Sequence, residues 1–71
     1  MSDTKSVISA ASRRTGYRPM LVGPVVELIR KWRDEGRSEA WMTSRLRAEL
    51  GPDNAAAERP FVSWVIGQLG K

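Results

Sequence analysis

Pro60-Phe61-Val62-Ser63-Trp64-Val65-Ile66-Gly67-Gln68-Leu69 is the most apolar run in the chain, and it carries no charge. At ~100° per residue its apolar side chains spread over roughly 200° of a helix surface. One buried stripe needs only about half of that. Such a helix is either covered on two sides by its own protein or keeps part of its face for a partner. Phe61 and Trp64 stand at the centre of that choice. A small domain needs large side chains in its core, and Trp is usually well buried. An exposed aromatic pair would instead have to be hidden by a partner.

Upstream of this run, Gly51 to Arg59 reads as a link. Gly51-Pro52 ends the preceding helix. Asp53 can cap a single helical turn over Ala55, Ala56 and Ala57, and Pro60 pushes Arg59 out of the α region. Before the link, Ser38 is a natural N-cap and Glu39 answers the helix dipole in the first turn. Met42, Leu46 and Leu50 form the inner stripe of that helix, with Trp41 to one side and Arg45 one turn on. Gly36, after Glu35, reads as the left-handed stop of an earlier helix. That helix is expected to start at Pro24, with Gly23 as its cap. Val25, Val26, Leu28, Ile29 and Trp32 recur with helical spacing. Glu27, Arg30, Lys31 and Asp34 fall on the other face. Met20, Leu21 and Val22 lead in and are expected to pack beneath.

Residues 1–19 read as a flexible basic arm. Ser, Thr, Ala and Lys dominate, Val7-Ile8 is the one apolar pair, and Arg13-Arg14 and Arg18-Pro19 close the segment. A short helix between Val7 and Arg14 would be marginal in isolation. The expected fold is therefore all-α: a compact three-helix domain over residues 20–71 behind the arm.

The totals narrow the function. Seventy-one residues allow one domain with a small core. There is no Cys and no His, so disulfides, thiolate metal sites and the commonest general base are all absent. No nucleophile–base pair can be drawn without them. An enzyme, a metal site and a cofactor are accordingly not expected, and no feature points to a small-molecule substrate. No run is long enough to span a membrane, and the start lacks the order of a signal peptide. The cytoplasm is the default compartment. Net charge is +4, which leans towards an anionic partner.

GYRPMLVGPVVELIRKWRDEGRSEAWMTSRLRAEL (16–50) followed by RPFVSWVIGQL (59–69) resembles the homeodomain-like helix-turn-helix of recombinases and small regulators. The carriers are the Gly-Arg-Pro-like arm, the turn Glu35-Gly36-Arg37-Ser38, and the apolar pair Val62 and Val65 on the last helix. Two features depart from that pattern. The link from Gly51 to Arg59 exceeds the usual three or four residues. The last helix would offer Phe61, Ser63, Trp64, Gly67 and Gln68 outward, whereas major-groove readers offer Arg, Lys, Asn or Gln. These departures are similar to the variant found in activators and antiactivators of conjugative elements, some members of which bind regulator proteins.

Two functions follow as expectations. In the first, the protein binds another protein, a transcription regulator by the resemblance, through Phe61, Trp64, Gln68, Trp41 and Arg45, with Arg47 and Arg59 on the rim. In the second, it binds the DNA of a mobile element through Arg13, Arg14, Arg18, Arg30, Lys31, Arg37 and Arg59, the arm entering a minor groove. Residues 5 to 33 hold seven basic side chains against one acidic. The alternative for the basic side chains of the Pro24 helix is a solvated face neutralised by Glu27, Asp34 and Glu35.

Overall fold

The computed structural model describes residues 4–70. They are all-helical: α1 (Thr4–Thr15), α2 (Pro19–Asp34), α3 (Glu39–Leu50), a 3-10 turn (Ala55–Ala57) and α4 (Arg59–Leu69). There are thus four α-helices where three were expected. The segment expected to be a flexible arm is α1. Its Val7 and Ala11 lie four residues apart on one helix face, are buried, and pack in the common core. Local propensity made this helix marginal, and burial against α2 and α4 stabilises it.

Each boundary has a local cause. Gly16, at φ +78°, closes α1, and its N–H donates to the Ser12 carbonyl. The Thr15 hydroxyl donates to the Ala11 carbonyl and accepts from the Tyr17 N–H. Arg18, before a proline, is extended, and Pro19 opens α2 at a position where its missing N–H costs nothing. The expected start at Pro24 is therefore five residues late. Pro24 sits inside α2 on its exposed side, where water can serve the carbonyl it leaves free. α2 ends in a Schellman turn: Arg37 N–H donates to the Trp32 carbonyl, Gly36 N–H to the Arg33 carbonyl, and Gly36 has φ +81°.

Ser38 caps α3 as expected, accepting from the Trp41 N–H at 3.1 Å. In the link it is Asn54, not Asp53, that caps the alanine turn, accepting from the Ala56 N–H at 2.8 Å. Ala56 and Ala57 are buried.

α4 is the hub of the core. It packs against α1, α2, α3 and the 3-10 turn. Phe61, Val62, Val65 and Leu69 are buried, Trp64 and Ile66 are half-buried, and Ser63 and Gly67 face solvent. Of the residues expected outward, Phe61 thus goes in and Trp64 and Gln68 go half-way, while Ile66 is only half-buried. The apolar girth that two neighbouring helices could not cover is covered by α1 and the alanine turn.

Candidate interaction surface

Phe61 is only 3% exposed. Its ring is core and cannot be offered to a partner in this conformation. Trp64 is half-buried, 6.1 Å from Phe61, and carries the Arg14 guanidinium over its ring at 5.1 Å. That stacking is a cation–π contact between α1 and α4, and it covers one face of the indole. Gln68 is half-buried. α1 thus covers part of Trp64 and Phe61 is enclosed, so the two rings do not form an exposed aromatic pair, while Ser63 and Gly67 remain in solvent.

Trp41 is 36% exposed and makes two contacts within its own chain. Its ring meets Trp32 edge-on at 5.2 Å, and Arg37 lies over it at 4.5 Å. Trp41 and Trp64 are held by different arginines on different elements, and Phe61 is enclosed, so the expected cluster does not assemble. Arg45 pairs with Glu49 at 3.3 Å on the exposed side of α3, a contact of a few tenths of a kcal/mol.

Besides Trp41, the large apolar side chains that face water are on α2 and at the end of α3. Met20 is 80% exposed, Leu21 61% and Leu50 40%. Met20, Leu21 and Leu50 were expected inside, and all three are out. The cause is the phase of α2. With the helix beginning at Pro19, Val22, Val25, Val26, Ile29 and Trp32 take the inward arc, and Met20, Pro24 and half-buried Leu28 recur at four-residue spacing on the outward side. The segment 20–26 is apolar nearly all round, which is the same signal that marked α4. Here the surplus face stays uncovered by the described residues.

Leu21 and Leu50 line a cleft of about 110 Å³. Tyr17, Leu21, Val22 and Val25 form one wall, and Leu50, Asn54 and Ala56 form the other. A hydrogen bond fixes the two walls against each other: the Ala55 N–H donates to the Tyr17 hydroxyl at 3.2 Å. The volume is somewhat smaller than the ~150 Å³ apolar cavities that admit benzene, so it has room for one aliphatic side chain.

The cations divide into two groups. Arg30 pairs with Glu27, Arg33 with Asp34, and Arg37 with Glu35, all at the surface. Arg30 and Arg37 of the expected DNA-binding set are thus neutralised locally. Arg13, Arg14, Arg18, Lys31, Arg47 and Arg59 make no ion pair among the described residues. Arg14 lines a groove with Pro60 and Phe61, while Arg47 and Arg59 line another with Ala40, Thr43 and Ser44. Arg47 is anchored there, its Nε–H donating to the Ala57 carbonyl at 3.2 Å. Three unpaired guanidiniums thus flank the start of α4.

Among the described residues, no three Asp or Glu side chains gather closely enough to hold a metal ion, and no helix is long and apolar enough to cross a membrane. In comparisons with known proteins, the chain matches no family model, no curated protein and no solved structure. The resemblance to helix-turn-helix regulators rests on the residues quoted for it.

Proposed function

We propose that this is a small, non-enzymatic regulatory protein that acts by binding another protein, and that it binds through the cleft between α2 and the end of α3. The function is the one expected from the sequence; the site moves from α4 to Met20, Leu21 and Leu50. The exposure of Met20 and Leu21, consecutive on α2, with Leu21 and Leu50 lining a cleft that has room for one aliphatic group, carries the proposal. Burying a Leu or Met side chain fully is worth about 1.5–3 kcal/mol. Contiguous exposed aliphatics beside a preformed cleft are what a docking surface offers. Control of a transcription regulator, in the manner of an antiactivator, is the role the helix-turn-helix resemblance attaches to such a surface.

A photo-reactive residue placed at Pro24, in cells that express the chain, tests the site. It should form an adduct with a second protein species, and Leu21→Asp in the same chain should abolish that adduct. An adduct from a probe at Ser63 on α4, with none from Pro24, would return the site to α4 and refute the assignment.

A second reading is DNA binding, favoured by the unpaired Arg14, Arg47 and Arg59. In this reading α2, the turn Glu35–Ser38 and α3 are the helix-turn-helix, and α3 presents Ser44, Arg45 and Arg47 beside Arg59. Duplex retardation should then weaken with added salt, and Arg47→Ala with Arg59→Ala should reduce the log–log salt slope by about 2. Retardation that is absent at low salt, or unchanged in the double variant, would remove this reading.

A further inference from the structure

We infer that the groove between α3 and the start of α4 binds a phosphomonoester, a phosphate group on a single ester bond with close to two negative charges at neutral pH. The groove is open, with a volume of about 340 Å³, and is lined by Ala40, Thr43, Ser44, Arg47 and Arg59. It shares no lining residue with the α2–α3 cleft, so the two sites are tested separately.

The lining chemistry selects the ligand. Two guanidiniums and no carboxylate line the groove. Neither arginine is in an ion pair among the described residues. The other groove at the start of α4 differs, because Glu58 stands there with Arg14 and offsets its charge. The planar fork of an arginine matches phosphate oxygens two at a time, which a lysine cannot do. Two such forks bring two positive charges. A carboxylate or a phosphodiester brings one negative charge and leaves one guanidinium uncompensated. A phosphomonoester brings nearly two, with three terminal oxygens to accept from both forks.

Arg47 is held in place before any ligand arrives. Its Nε–H donates to the carbonyl of buried Ala57 at 3.2 Å. That bond ties the guanidinium to the alanine turn and leaves both terminal NH2 groups unengaged. Less side-chain freedom is then lost when an anion binds. Arg59 is exposed at the first position of α4 and supplies the second fork. Ser44, exposed three residues before Arg47 on the same face of α3, adds a hydroxyl. Thr43 adds none, because its hydroxyl already donates to the Glu39 carbonyl.

Chemical-shift titration of the isotope-labelled full chain with inorganic phosphate tests this, at about pH 7.5 and at an ionic strength held constant with sodium chloride. The expected result is a saturable shift confined to residues 40–47 and 57–59. Arg59→Gln changes an exposed residue, and Arg47→Lys keeps the charge but loses the fork. Each should weaken binding roughly five- to tenfold. Arg33→Ala removes the same charge outside the groove and should leave binding within about two-fold. Dimethyl phosphate, a monoanionic diester, should bind roughly tenfold more weakly than inorganic phosphate. A short phosphoserine peptide and glucose 6-phosphate then separate the two sources of such a group, a phosphorylated protein or a free phosphorylated metabolite, and the tighter of the two names it.

Shifts that never saturate overturn the inference. So do shifts that weaken as much with Arg33→Ala as with Arg59→Gln, or that dimethyl phosphate reproduces at equal concentration. That last outcome, with duplex retardation, would give both arginines to the DNA reading. Loss of the Pro24 adduct bears on the α2–α3 cleft alone.

Discussion

Replacing Phe61 by Ala separates core from interface most sharply. The ring is 3% exposed and sits in the hub helix among Val62, Val65 and the half-buried Trp64. Truncating a buried Phe costs about 3–5 kcal/mol, the transfer term plus the cavity left behind. A chain of this length has a total stability of roughly 4–11 kcal/mol, at about 0.05–0.15 kcal/mol per residue. The variant should therefore lose roughly a quarter or more of its stability. With a urea dependence of about 1 kcal/mol per molar for so small a domain, the midpoint should fall by about 3 M. Leu21→Ala is the control. More than half of Leu21 is already in water, so its truncation should cost less than about 1 kcal/mol of stability. Urea unfolding followed by tryptophan fluorescence and far-UV circular dichroism measures both. A loss below 1 kcal/mol for Phe61→Ala would mean the ring is not core, and the interface would belong on α4 after all.

Other expectations follow from single contacts. Ala11 is fully buried at the heart of α1, so Ala11→Glu should abolish the cooperative thermal transition by burying an unpaired charge; an unchanged transition would mean residues 4–15 are a solvated arm. Gly36→Ala should destabilise by about 1–2 kcal/mol, because φ +81° is costly for any residue with a Cβ. Gly67→Ala should instead stabilise by up to about 1 kcal/mol, since Gly67 lies in the helix interior with nothing near an added Cβ; chemical denaturation of the pair reads the opposite signs. Tyr17→Phe leaves the Ala55 N–H without its partner and should cost about 1–3 kcal/mol, with faster amide exchange at Ala55 as the local check.

Local chemistry, legible in the residues alone, determined the all-helical class and much of the punctuation. Ser38 as a cap, Gly36 as a left-handed stop, the Gly51-Pro52 break and the alanine turn each follow from one or two neighbouring side chains. The inward stripe of Val25, Val26, Ile29 and Trp32 followed from spacing. Two things were not local. Whether residues 4–15 form a helix depends on Val7 and Ala11 finding a surface on α2 and α4, because so short a helix is marginal in isolation. Which of two over-apolar helices keeps an uncovered face depends on where that helix then lies. The sequence presents α4 and the start of α2 with the same excess of apolar side chains; α1 and the alanine turn cover the first, and none of the described residues covers the second. Girth can be counted from residues, but coverage is a property of packing, so only the tertiary structure decided that the exposed surface is Met20, Leu21 and Leu50 rather than Phe61 and Trp64.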